Sequence, residues 1–294
     1  MDKKRVLILG ATGMLGSAVY DFLKDKYNLI LAVRNRDKVG LLEKAYGGTQ
    51  NHQIVDFDAI KVYEDFLNKK GYPGEYLSDF LNKVGDIDYA INAVGITIPF
   101  SLKNPTSTLF INGALPHILV QKFGEKLIHI TTDCIYNGQE GFPYDENSPK
   151  TPVDLYGKSK SLGEPENCLT LRTSIIGREL EPSGNLLEWF LQQDGKEING
   201  FSRHFWNGIT AKQFAKVCDQ IISQPEKYPQ TGIYHIFSNP VSKYEMLLKF
   251  KEKFGVNCKI NEDSVPELNR VLTTVKELNG ILNIPSFDEM IRGI

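Results

Sequence analysis

The sequence predicts an α/β fold: a doubly wound parallel sheet with a smaller C-terminal lobe. Three observations predict it. The chain opens on an unbroken apolar run, residues 6–9, that meets Gly10 and continues into two more glycines, Gly13 and Gly16. Short apolar runs then alternate with helical stretches at the pace of βαβ units. The length, 294 residues, gives bulk for one large or two modest domains with a real core.

The first run justifies itself. Four consecutive apolar residues are what a parallel strand buried on both faces requires. Gly10 turns the chain sharply off the strand, Gly13 admits a pyrophosphate to the backbone, and Gly16 lets the following helix lie close to the sheet. The helix N-terminus offers free N–H groups and partial positive charge to phosphate. The spacing is GxxGxxG. After a strand and before a helix it points to dinucleotide binding by a Rossmann-type sheet, with Gly10, Thr12 and Gly13 at the phosphates. Lys3, Lys4 and Arg5 before an apolar run resemble a secretion signal, but Gly10, Thr12 and Gly13 break the run and no cleavage site follows.

Asn28–Val33 reads as the second strand and ends in Arg34, Asn35 and Arg36. An acid there would bind the ribose 2′-hydroxyl of NAD, whereas arginine suits the 2′-phosphate of NADP. Arg34 and Arg36 therefore predict NADP, with Asp37 pulling toward NAD. Residues 52–57 read as a third strand that places Asp56 and Phe57 at the adenine edge. Residues 60–84 read as helix broken by a turn signal at 71–74. Residues 87–94 form a fourth strand whose end, Asn92, Ala93 and Val94, is small enough for ribose and nicotinamide to lie on backbone. A helix over 108–123 carries Asn112, and 126–132 is the fifth strand.

Composition excludes other classes. Hydrophobic content of 41% and charged content of 24% are those of an ordinary globular chain. A formal charge of −2 argues for neither a nucleic-acid nor a membrane surface. No apolar run approaches the ~18 residues of a membrane span. Cys134, Cys168, Cys218 and Cys258 are scattered without metal-ligand spacing, which predicts a reducing cytoplasm and no metal.

The fifth strand ends in Thr131-Thr132-Asp133-Cys134, and Tyr156-Gly157-Lys158-Ser159-Lys160 follows a Gly/Pro-rich loop. Tyr156 and Lys160 share a helix face at i, i+4. An ammonium beside a phenol is expected to lower its pKa and fit it for proton transfer. Together, GATGMLG, INAVG, ITTD, YGKSK and LRTSIIG resemble the extended short-chain dehydrogenase/reductase superfamily, and most closely the dTDP-4-dehydrorhamnose reductase family. That family spaces its threonine and tyrosine by 24 residues, as Thr132 and Tyr156 are spaced. The resemblance covers the first 180 residues well. It implies NADPH-dependent reduction of a 4-keto-6-deoxy sugar on a nucleoside diphosphate, in nucleotide-sugar biosynthesis for surface polysaccharide. It places the proton donor on Tyr156, the ribose-holding lysine on Lys160, the carbonyl-polarising hydroxyl on Thr132, and cofactor contacts on Gly10, Gly13, Met14, Leu15, Asn92 and Ala93.

Two departures matter. Dehydratases of the superfamily carry an acid where Cys134 stands. GDP-fucose synthase-like epimerase/reductases carry a cysteine, so Cys134 is also a candidate base for epimerisation, with His204 as a partner acid. The distal half replaces the family's usual segment by FSRHFWNG, where Arg203 suits a diphosphate and Trp206 a stacked ring. Thr97, Asp133 and Asn185 complete the substrate-facing candidates. The expected division is 1–174 for the cofactor and 175–294 for the substrate lobe, with 205–238 returning to the main sheet. The regulatory subunit of methionine adenosyltransferase resembles the same fold and binds NADP as a partner, not as an enzyme. The expected partner is a small nucleotide sugar; a homodimer is left open.

Overall fold

The computed structural model describes residues 3–68, 74–182 and 184–294. Seven parallel strands form the main sheet: β1 (Arg5–Leu9), β2 (Asn28–Val33), β3 (Gln53–Asp56), β4 (Tyr89–Asn92), β5 (Leu127–Thr131), β6 (Leu169–Arg172) and β7 (Gly232–His235). Their order is β7-β6-β5-β4-β1-β2-β3. The apolar run of β1 explains itself in space. Val6 and Ile8 enter one core cluster, Leu7 and Leu9 the other, and all four are fully buried. The first cluster is closed by helices Met14–Leu23 and Ala211–Ser223; the second by Ala59–Asn68, Glu75–Val84 and Leu115–Phe123. The sequence-predicted turn at 71–73 lies outside the described residues.

The crossovers reverse direction between β1 and β4, so the connections leaving the carboxyl ends of these two strands part to opposite faces and leave a crevice where such sheets bind ligands. The chain beyond β6 contributes in two ways. Helix Ala211–Ser223, capped by Thr210 Oγ1 on the Gln213 N–H (3.1 Å), and β7 join the main sheet layers. The rest builds a lobe around a third cluster containing Phe190, Trp206, Phe250 and Phe287. Its strands are Glu197–Phe201 paired with Lys259–Asp263, and His204–Trp206 between Val241–Ser242 and Leu268–Asn269. Among the described residues no helix is long and apolar enough to cross a membrane.

Candidate active site

The cofactor groove is built from backbone first. Gly10 has φ +80°, and a Cβ on it would sit 3.2 Å from the Ala93 carbonyl oxygen, so the ends of β1 and β4 meet over a residue without a side chain. A Cβ on Gly16 would lie 2.1 Å from the Gly10 carbonyl oxygen, a contact no side chain permits. Helix Met14–Leu23 thereby starts against the strand, with its first-turn N–H groups free for a phosphate. A groove of about 270 Å³ runs from here along Thr12, Gly13, Arg34, Asn35, Lys38, Phe57, Ala93 and Val94. Glycine cradle, helix N-terminus and basic rim fit a dinucleotide.

Four predicted cofactor contacts need correction. Arg36 turns away from the groove and forms a bidentate pair with Asp56, at 2.6 and 3.2 Å, both side chains being exposed. Arg34 lines the groove and has no ion-pair partner among the described residues, and Lys38, which the sequence reading missed, lines it too. Asn92 is buried; its amide donates to His129 Nδ1 (3.1 Å) and its oxygen accepts the Val94 N–H, so it shapes the turn rather than touching a ligand. Leu15 is a core side chain, and only its backbone can serve a phosphate.

On the other side of the crevice, β5 delivers Thr132 and helix Leu155–Leu162, capped by Asp154 on the Gly157 N–H (2.7 Å), delivers Tyr156 and Lys160. The Thr132 hydroxyl donates to Asp133 Oδ1 (3.1 Å), accepts the Cys134 N–H (3.1 Å) and reaches the Tyr156 phenol. Lys160 Nζ donates to the Ile130 carbonyl at 2.9 Å. A π-helical turn, Phe110–Ala114, presents Asn112. Its side chain holds both backbone groups of Ile96 (2.8 and 2.9 Å) and the Ser159 hydroxyl, fixing the loop after β4 to the tyrosine helix.

The electrostatics differ from the expectation for Tyr156. Burial pushes its phenol above the usual range, Cys134 and Asp133 add to this, and the neighbouring Thr132 hydroxyl pulls back. Lys160 does not pull it down: burial lowers Lys160 itself, to about 8, with Glu164 opposing. Tyr156 is thus held as a neutral phenol, the form that donates a proton. Cys134 is likewise held as a thiol, pushed up to about 12 by burial and Asp133. That removes the resting thiolate an epimerising base needs. His204 is lowered to about 4 by burial, then by Lys243 and Arg270, so it carries no proton to give at neutral pH.

The distal predictions fare worse. Arg203 pairs with Glu267 on the surface at 2.7 Å. Trp206 is buried edge-on to Phe287 in the lobe core. Asn185 caps helix Leu186–Leu191 through the Glu188 N–H (3.0 Å), and its Nδ2 donates to Met14 Sδ (3.4 Å) and the Gly177 carbonyl, which fastens the glycine loop to the distal half. Thr97 is exposed at the start of helix Ile98–Ser101 and Asp133 is buried beside Thr132. The basic groups facing the site are instead Arg270 and Lys243. Arg270 donates from Nε to the Tyr136 carbonyl (3.0 Å) and from Nη1 to Cys134 Sγ (3.6 Å). Lys243 Nζ lies 5.5 Å over the Trp206 ring, near Asp133 and Cys134, with no hydrogen-bond or carboxylate partner among the described residues. Nothing in their sequence neighbourhood singles them out: the topology brings them here.

Comparison with known proteins agrees with this architecture. Residues 6–167, more than half of the chain, match the family described as "NAD dependent epimerase/dehydratase family". The chain belongs to that family. Residues 111–269, also more than half of the chain, match the family described as "RmlD substrate binding domain". The family's cofactor is NAD(P), which the groove described above fits. The spore coat polysaccharide biosynthesis protein SpsK of Bacillus subtilis is 31% identical over 146 residues, 47% of this chain and 50% of that one. The chain therefore spans half the length of that relative. Methionine adenosyltransferase 2 subunit beta of Xenopus tropicalis is 26% identical over 273 residues, 86% of this chain and 73% of that one. A dTDP-4-dehydrorhamnose reductase from Bacillus anthracis in complex with NADP shares the fold, with TM-score 0.71, 17% identity and coverage of 99% and 98%.

Proposed function

We propose that the protein reduces the keto group of a nucleoside-diphosphate-linked 4-keto-6-deoxy sugar with NADPH. What supports this is that β5 and the helix after it bring Thr132, Tyr156 and Lys160 to one side of the crevice, with Lys160 Nζ 3.9 Å from where a Cβ on Gly95, a residue of the groove wall, would lie. The cofactor supplies the hydride. Thr132 polarises the carbonyl by donating to its oxygen. Tyr156 gives that oxygen a proton as charge develops on it; an alkoxide is a stronger base than even a buried phenolate, so the transfer runs downhill. Lys160, with one donor on Ile130, keeps its others for the cofactor ribose. Arg270 and Lys243 receive the substrate's diphosphate in place of Arg203, since a partnerless ammonium and a guanidinium in one cleft favour an anion. Arg34 and Lys38 favour a 2′-phosphate.

The test is NADPH oxidation against UDP-, dTDP- and GDP-linked 4-keto-6-deoxy sugars made in place by dehydratases. Tyr156→Phe is expected to lower kcat roughly a hundredfold to ten-thousandfold while NADPH affinity stays unchanged. Retained turnover in that variant would remove Tyr156 from the chemistry. The long match to methionine adenosyltransferase 2 subunit beta favours a second reading, an NADP-binding subunit of another enzyme. NADPH binding without turnover on any sugar, together with stable capture of a methionine adenosyltransferase, would select it.

A further inference from the structure

We propose that Glu181 sets the choice between NADP and NAD by holding Lys38 at the adenosine end of the groove. The acid that a dinucleotide fold commonly carries at the end of its second strand is replaced here by Arg34. A carboxylate nevertheless arrives at this place from the other half of the chain: Glu181 pairs with Lys38 at 2.6 Å. Its position is not incidental. The segment preceding it passes Gly177, where a Cβ would lie 3.5 Å from Met14 Cγ, and Leu180 packs on the core cluster of the glycine-loop helix. Farther on, Asn185 donates to Met14 Sδ and to the Gly177 carbonyl. The chain thus touches the phosphate loop before Glu181, at Gly177, and after it, at Asn185. Arg36, the other cation of this corner, is already taken by Asp56.

The three remaining groups respond oppositely to the two cofactors. A ribose 2′-hydroxyl is a donor, and Glu181 can accept it without leaving Lys38. A 2′-phosphate attracts Lys38 and Arg34 and repels Glu181, so it must take Lys38 from its carboxylate partner. Lys38 and Glu181 are 36% and 55% exposed, so their pair is weak and screened by salt. Glu181 thus tunes the ratio rather than forbidding either cofactor.

Binding tests this without any sugar substrate, so its outcome is independent of the proposed reaction. Dissociation constants for NADPH and NADH are measured by titration on the wild type, Glu181→Gln and Lys38→Met at low and high salt. Glu181→Gln is expected to tighten NADPH about three- to tenfold at low salt and to leave NADH unchanged or weaker. Lys38→Met is expected to weaken NADPH about tenfold with little effect on NADH. High salt should shrink both differences. A Glu181→Gln variant that alters both cofactors equally, or neither, overturns the assignment. Both side chains are on the surface, and a thermal melt confirms that the variants fold.

Discussion

Lys243 shows how a residue's surroundings set its use. Burial lowers its ammonium to about 8; Asp133 and Cys134 oppose the shift and Arg270 adds to it. The amine is therefore charged at neutral pH and loses its charge as pH rises through about 8. An anion binds the charged form, so substrate KM is expected to rise above pH 8, by at most tenfold per unit. Lys243→Arg, charged at every accessible pH, should flatten that limb. Lys243→Met should raise KM about ten- to hundredfold, the worth of a charge-assisted hydrogen bond, with a smaller effect on kcat. A substrate KM that ignores both pH and Lys243→Met would exclude the residue from anion binding. Sequence reasoning chose Arg203 and Trp206 for this task because they sit in a conspicuous FSRHFWNG run. Their side chains are used by Glu267 and by the lobe core. Lys243 opens an ordinary amphipathic helix behind the Ser242/Glu245 capping box, a local pattern that says helix start and nothing of a ligand.

At the scale of elements, legibility follows how local the cause is. β2 fell where its apolar run predicts, and the glycine loop took its expected form, because both depend on neighbours in sequence. Tyr156 and Lys160 needed only one turn of helix. Asn92 was misread because His129, its partner, comes from the adjacent strand β5. The loop–helix contact at Gly16 is the most exacting local feature. A methyl group there would fall 2.1 Å from the Gly10 carbonyl oxygen, which is backbone and cannot rotate aside. Gly16→Ala must shift the helix start away from β1, an overpacking cost of about 1–3 kcal/mol or more. The expected result is a lower melting temperature together with weaker binding of both NADPH and NADH, since the phosphate-facing N–H groups move with the helix. Unchanged cofactor affinity would show that these N–H groups do not carry the phosphate.

At the scale of the molecule, a buried ionic network joins parts that the sequence keeps far apart. Arg172 on β6 is 2% exposed and forms a fork on Glu164, at 2.9 and 2.8 Å, while its Nη1 donates to the Tyr136 hydroxyl (3.0 Å) and to His235 Nε2 on β7 (3.3 Å). The other nitrogen of His235 donates to the Thr273 carbonyl, and Glu146 accepts from the His235 N–H, the Thr274 hydroxyl and the Val275 N–H. Two strands, the loop after Thr132 and the segment after Arg270 are thus locked together behind the substrate cleft. Arg270 in turn rests on the Tyr136 carbonyl, so the network fixes the height of a substrate-facing cation. Glu164→Gln leaves Arg172 buried without its carboxylate, a loss of about 3–5 kcal/mol, whereas Arg172→Met costs less because Lys150 Nζ still pairs with Glu164 at 2.7 Å. Glu164→Gln is expected to lower the melting temperature by roughly 5–8 °C, and Arg172→Met by less. The double variant should recover part of the Glu164→Gln loss, because the charge that then lacks its partner, Lys150, is 35% exposed and open to water. The cofactor groove lies beyond β5 and β4 from this network, so substrate KM should rise in Arg172→Met while NADPH affinity holds; Glu164→Gln also removes the carboxylate that helps keep Lys160 charged, so it is expected to weaken NADPH as well. A parallel loss of both affinities in Arg172→Met would instead show that the network supports the whole sheet and has no particular hold on Arg270.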